Sequence, residues 1–172
     1  MTLATRPREP EETGAEAIPG EDWRSAPLER RPGFLIRRLH QLHTALFARA
    51  TQPEKVTPVM FSVLSALARL GPVDQTTLAR AVAIDKSNMV DVLARLVRRG
   101  LVARRASPTD RRAFLVSLTA EGRALLDRLD AAVERALAEA VADLDPRERA
   151  LFVDYMKRIV TALEAREGAA RR

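Results

Sequence analysis

Two short stretches of this chain concentrate side chains suited to reading and gripping a polyanion. The first holds Lys86, Ser87, Asn88, Val90, Asp91 and Arg95. The second holds Arg104, Asp110, Arg111 and Arg112, with a carboxylate set beside two guanidinium groups in a turn. Short polar side chains exchange hydrogen bonds with base edges, while Arg and Lys neutralise phosphate. Between Asp85 and Arg112 there are eight cations (Lys86, Arg95, Arg98, Arg99, Arg104, Arg105, Arg111, Arg112) against three carboxylates (Asp85, Asp91, Asp110), a net of +5. The whole chain carries +6, so most of its excess lies here. Such a strip predicts double-stranded DNA as the partner, bound in a salt-sensitive way. Taken singly, each arginine also has a plainer role as a solvated charge, and Arg98 and Arg99 complement a helix C-terminal dipole.

These residues need a scaffold, and the surrounding pattern supplies one. Leu35, Leu39, Leu42 and Leu46 make a helical stripe over residues 34–50. Thr57 followed by Pro58 caps a second helix that runs to Leu70 and stops at Gly71 and Pro72. Asp74 caps a short third helix over residues 75–82, and Asp85 caps a fourth over 86–99, closed by Gly100. Only Ala83, Ile84 and Asp85 separate these two, which forces a helix-turn-helix corner. On the fourth helix, Val90 or Met89 with Leu93, Leu96 and Val97 makes the buried side. The period then changes: residues 101–105 and 112–118, joined by turn-forming residues, predict an antiparallel hairpin. Thr119 caps a long fifth helix with Leu125, Leu129, Val133, Ala136, Leu137, Ala140 and Leu144 as its apolar stripe. Asp145, Pro146 and Glu148 open a last helix with Phe152, Tyr155, Met156, Ile159 and Leu163 on one face. The expected fold is mainly α with a small β-hairpin wing, in the order α-α-α-α-β-β-α-α.

Composition limits the alternatives. The chain has 172 residues, 47% of them hydrophobic but only 4% aromatic, which suits helix-on-helix packing. It has no cysteine, excluding disulfides and thiolate metal sites, and its two histidines, His40 and His43, are too few for a usual zinc site. No metal and no cofactor are expected. There is no glycine-rich phosphate loop and no nucleophile–base pair at telling spacing, which argues against an enzyme. No apolar run approaches the roughly 20 residues of a membrane span, and the N-terminus has no apolar signal core, so a cytoplasmic protein without membrane contact is expected. Residues 1–33 hold five of the ten prolines and a net charge of −2, and are expected to be a largely disordered arm. Trp23 within it is an open question, since it could dock on the body.

Residues 85–105, the turn Ser-Pro-Thr-Asp-Arg-Arg at 107–112 and the run Val-Ser-Leu-Thr-Ala-Glu-Gly at 116–122 resemble the MarR family of winged helix-turn-helix transcriptional regulators. The resemblance runs from residue 34 to about residue 163 in element order and implies one domain over 34–168, with the winged helix at about 57–118 and dimerisation helices at about 34–50 and 119–168. It implies a homodimer whose first, fifth and sixth helices intertwine, and a near-palindromic operator. It also implies that Asp110 braces the wing through Arg111 or Arg112, and that a wing arginine, Arg112 or else Arg111, enters the minor groove. Independently, the apolar stripes of helices one, five and six are wider than a winged-helix core can cover, which also predicts a dimer. One departure from the family is that Val90 and Asp91 stand where Thr and Arg are common. Val90 could meet a thymine methyl. Two roles are open to Asp91: accepting from cytosine N4, or pairing with Arg95 one turn on.

Similar regulators take small aromatic acids in a cleft beside the dimer helices, which makes Arg37, Arg38, His40, His43, Phe47 and Phe61 the candidate effector residues. The opening at residues 32–43 resembles regulators of aromatic-acid or aryl-coenzyme A catabolism, so a repressor released by such an effector is expected. Two histidines at i and i+3 on a dimer helix are also ordinary interface residues. A winged helix used for protein contacts is the remaining rival, and the +5 strip argues against it.

Overall fold

The computed structural model describes residues 25–106 and 114–170. From the second helix onward, each helix start is fixed by the side chain that precedes it. Thr57 accepts from the Met60 N–H at 3.2 Å, opening α2 (Pro58–Leu70). Asp74 accepts from the Thr76 and Thr77 N–H groups at 2.9 and 3.0 Å, opening α3 (Gln75–Ala81). Asp85 does the same for α4 (Lys86–Arg98) and Thr119 for α5 (Ala120–Ala140). At α6 (Pro146–Ala170) the cap is reciprocal: Asp145 Oδ1 accepts from the Arg147 and Glu148 N–H groups, and Glu148 Oε2 accepts from the Asp145 N–H at 2.8 Å.

The chain divides into two compact units, Met1–Leu39 and His40–Arg172. In the first, Leu28–Arg30 forms a 3-10 turn and the Arg31 Nε donates to the Ala26 carbonyl at 2.8 Å. The first helix, α1 (Pro32–Ala50), begins two residues before the expected residue 34, with proline in its first turn. Of the expected arm at 1–33, residues 1–24, Trp23 among them, lie outside the described residues. Residues 28–30 and 32–33 are helical turns rather than open coil.

In the second unit the core gathers around α2. Val63, Leu64 and Leu67 are buried against Leu78, Met89, Leu93, Leu96, Val116, Leu125 and Leu129. A three-stranded antiparallel sheet closes one side, in the order β1 (Val73–Asp74), β3 (Phe114–Leu118), β2 (Val102–Ala106). The hairpin register places Arg104 opposite Val116 and Ala106 opposite Phe114. The expected hairpin is therefore present between β2 and β3, and β1 adds a strand that residue patterning does not announce. Two residues are too few for a period, and their partner, Val116, is 43 positions away from Val73.

Both α3 and α4 end in Schellman turns. At α4 the Leu101 N–H reaches the Leu96 carbonyl at 3.0 Å and Gly100 takes φ +69°. At α3 the Ile84 N–H reaches the Ala79 carbonyl at 3.1 Å, and the left-handed position falls on Ala83 at φ +52°. That non-glycine left-handed residue is the corner of the helix-turn-helix. The sharp stop at Ala140 leaves Leu144 outside α5, contrary to expectation. Arg149 of α6 secures the corner instead, donating to the carbonyls of Val141, Ala142 and Leu144.

Candidate nucleic-acid interface

On α4 the buried ridge is Met89, Leu93 and Leu96, all at most 1% exposed. Of the two alternatives for its first position, Met89 is the buried one; Val90 is 51% exposed. Val97 was expected on the buried side and is 38% exposed, because Leu93 and Leu96 already face α2 and β2 and Val97 lies a further 100° round the helix. Lys86, Ser87, Asn88, Val90, Asp91 and Arg95 all face outward. The helix thus presents one continuous outward edge, polar except for Val90, rising from its capped N-terminus toward Arg95.

The N-terminal turn of that edge is organised by Asp85. Its Oδ1 accepts from the Asn88 N–H at 2.8 Å and from the Ser87 hydroxyl at 2.6 Å, and its Oδ2 accepts from the Asn88 side-chain amide. The carboxyl is held below its ordinary value, first by the Asn88 backbone N–H and then by the Ser87 hydroxyl, with desolvation acting against them. Because Ser87 spends its only proton on Asp85, it presents lone pairs outward. A hydroxyl in that state accepts, and suits adenine N6 or cytosine N4 in a major groove.

Among the described residues no ion pair joins Asp91 to Arg95. The Asp91 carboxylate is therefore not engaged by the side chain one turn on. Arg104 lies on β2 with its guanidinium 5.7 Å from the centroid of the Phe114 ring, a diagonal pair across the hairpin. Asp110, Arg111 and Arg112 lie outside the described residues. Arg99, counted in the basic strip, is otherwise occupied: it donates to two backbone carbonyls of the segment after α1.

Gly100, Leu101, Thr119 and Gly122 fix where the hairpin leaves the helices. The Thr119 hydroxyl donates to the Gly100 carbonyl at 2.7 Å and accepts from the Gly122 N–H at 3.0 Å, while the Thr119 N–H bonds Leu101 O. One threonine therefore caps α5 and clamps the end of α4. The sequence signal for this was the Leu-Thr-x-x-Gly run, whose mechanical reason only the tertiary contact supplies.

The candidate effector residues divide between the two units. Arg37 and Arg38 are exposed on the first-unit part of α1, where Arg37 stacks 5.1 Å from the Phe34 ring centroid. Arg37 and Phe34 also line an open depression of about 630 Å³ with Leu28 and Arg31. In the second unit, His40 is exposed and His43 is half-buried, its ring 6.4 Å from that of Phe47. Phe47 meets Phe61 edge-on at 5.7 Å. Phe47 is only 4% exposed and belongs to the core with Phe61 packed on it, so both have a structural role in this conformation. A recess of about 430 Å³ between α1 and α5, lined by Leu46, Arg49, Ala132, Arg135 and Glu139, had no signal in the sequence. No helix among the described residues is long and apolar enough to cross a membrane.

A helix-turn-helix followed by a basic hairpin, closed on itself by β1, defines a winged-helix protein. The model of the MarR family matches residues 56–114. The HTH-type transcriptional repressor NicR of Pseudomonas putida is 31% identical over 147 residues, covering 81% of this chain and 93% of NicR. Among solved structures, BpsR of Bordetella bronchiseptica, described in terms of the regulation of its DNA binding by 6-hydroxynicotinic acid, superposes with a TM-score of 0.75 at 32% identity, covering 78% of this chain and 96% of its own. The PcaV transcriptional regulator of Streptomyces coelicolor, in complex with its natural ligand, gives 0.74 at 34% identity, covering 81% and 98%. The chain belongs to the MarR family, and is a winged-helix transcriptional repressor of that type.

Proposed function

We propose that this repressor acts as a cytoplasmic homodimer on a near-palindromic operator, which it releases on binding a small aromatic acid or an aryl-coenzyme A type effector. The observation that carries the DNA reading is the outward edge of α4, where Lys86, Ser87, Asn88, Val90, Asp91 and Arg95 all stand clear above a fully buried Met89–Leu93–Leu96 ridge. In this reading the first turn meets base edges in the major groove, Arg95 and Arg104 meet phosphate, and Arg112 or Arg111 of the wing enters the minor groove, braced by Asp110.

The dimer reading is supported by α6. No residue of that helix is buried in the single chain, yet Leu151, Val153, Tyr155, Met156, Ile159, Val160 and Leu163 are large, apolar and at least 40% exposed. Each such side chain is already about half covered, so completing its burial contributes half of the ~1.5–3 kcal/mol of a fully exposed one. A second copy supplies that cover and sets two reading helices on a two-fold axis.

The effector reading is supported by the relatives, whose ligands include 6-hydroxynicotinic acid. In this chain Arg37, Arg38, His40 and His43 are the groups that could hold a carboxylate, and Phe47 and Phe61 could stack on a ring after a shift of α1. The test is a gel-shift assay on the DNA upstream of the protein's own gene, with and without 6-hydroxynicotinic acid and related aryl acids. Release by one of them is expected. Binding that no aryl acid or thioester alters would contradict the effector half and leave the DNA half standing.

A further inference from the structure

Arg99 is the last cation before the wing, and its charge alone would place it on phosphate. The structure gives it different work. Its Nη2 donates to the Glu54 carbonyl at 2.7 Å and its Nη1 to the Lys55 carbonyl at 3.2 Å, across 45 and 44 positions of sequence. A planar guanidinium spans two adjacent carbonyls with parallel N–H groups, which an ammonium cannot do. The segment it holds, a 3-10 turn at Gln52–Glu54 followed by Lys55 at φ +48°, is itself held from two other sides. Arg128 of α5 reaches Glu54 Oε1 through Nε and Nη2 at 3.3 and 3.2 Å. Thr51, 1% exposed, shares its hydroxyl between the carbonyls of Phe47 and Val56 at 3.0 and 2.8 Å.

Three elements therefore meet on residues 51–55: the end of α1, which carries Phe47; α5, through Arg128; and the end of α4, through Arg99. Arg99 is also the residue directly before Gly100 and Leu101, where the chain turns into β2. Its grip fixes the C-terminal end of α4 and the root of the hairpin together. We propose that Arg99 is a positioning residue for DNA recognition, hitching α4 and the base of the wing to the α1–α2 connection rather than contacting phosphate. The proposal rests on α4 being the reading helix. It makes residues 51–55 the joint through which a displacement of α1 or α5 would reach the DNA-facing surface.

The two roles for Arg99 predict different salt behaviour. A phosphate contact contributes about one unit to the slope of log K against log salt, whereas a positioning contact contributes nothing to it. The experiment uses the full chain and a duplex that the wild type enriches from a random-sequence pool, titrated across a salt series with Arg99→Ala, Arg99→Lys and Arg95→Ala. Arg99→Ala should bind about five-fold more weakly at every salt concentration, with a slope parallel to wild type. Arg99→Lys keeps the charge and should remain weak. Arg95→Ala should lose about one unit of slope.

Amide hydrogen exchange provides a readout that does not involve DNA. The Glu54 and Lys55 N–H groups, bonded to Thr51 O at 3.0 Å, should exchange faster in Arg99→Ala while the core amides of α2 are unchanged. A shallower slope for Arg99→Ala with full recovery in Arg99→Lys would overturn the proposal in favour of a phosphate contact. Unchanged affinity, or unchanged exchange at Glu54 and Lys55, would overturn it as well. A wild type that enriches no duplex would instead overturn the reading of α4, a failure visible before any variant is made.

Discussion

Gly122 passes so close to Leu101 that a Cβ on the glycine would overlap the Leu101 carbonyl oxygen, and would sit 2.8 Å from Leu118 Cδ1. The start of α5 thus lies directly on the backbone that joins α4 to the wing. That carbonyl is fixed, since it also accepts from the Thr119 N–H at 3.1 Å. Gly122→Ala is therefore expected to lower stability by about 1–3 kcal/mol, because the clash is with backbone and has no flexible side chain to move. Gly168→Ala is the control, with nothing within 4 Å of the added atom. Urea unfolding of the two variants checks the contrast.

Ala83 makes the opposite prediction. It occupies a left-handed position that favours glycine, at the corner between α3 and α4. Ala83→Gly should raise stability by up to about 1 kcal/mol, the strain removed exceeding the entropy added to the unfolded chain. A valine there should cost at least as much. Thermal unfolding of the pair measures both.

Two helix caps make stability depend on acid. Asp74 is held below its ordinary value first by the Thr77 hydroxyl and then by the Thr77 backbone N–H; Asp85 is held down first by the Asn88 backbone N–H. Each folded-state pKa lies below the unfolded value near 3.8, so this contribution is fully present above that value. It disappears as pH falls through the folded-state pKa. Melting temperature measured against pH should lose the contribution of these caps only below the ordinary carboxylate range, and Asp74→Asn with Asp85→Asn should flatten that part of the curve.

Removing the Asp85 carboxylate at neutral pH takes away the α4 cap and so lowers stability, and it also tests the reading edge. Asp85→Ala releases the Ser87 hydroxyl and the Asn88 amide from their common acceptor. Sequence preference in a binding-site selection should then relax at the positions facing the first turn of α4. Dimerisation should be untouched, as light scattering would show.

A charge placed in the exposed stripe of α6 should separate the subunits. Ile159→Lys is expected to give the 19.1 kDa chain alone in sedimentation, and the wild type is expected to give twice that mass. A monomeric wild type at micromolar concentration would contradict the dimer reading.

The parts of this fold that local chemistry dictates were legible in the sequence. Thr57, Asp74, Asp85, Thr119 and Asp145 each announce a helix start, because a short acceptor side chain before an apolar period has one good use. Gly100 announced a helix end for the same kind of reason. What the sequence hid depends on distant partners. The β1 strand exists only because Val73 finds Val116, and Arg99 looks like any surface cation until Glu54 and Lys55 are placed beneath it. The outward turn of Val97 was hidden too, since periodicity gives a face but not its width. On the outward side of α4 the residue types were readable, but not that Asp85 would draw the donors of Ser87 and Asn88 inward.

In the proposed function, the exposed edge of α4 and the adjoining wing read a specific duplex. The most direct test is equilibrium titration of the wild type and of Arg112→Ala against its own upstream DNA, with a scrambled duplex as competitor, from about 50 to 200 mM salt. Saturable, sequence-selective binding by the wild type that weakens steeply with salt is expected, with a sharp loss of affinity in Arg112→Ala. Equal affinity for the two duplexes, or no binding at the lowest salt, would contradict the proposed function.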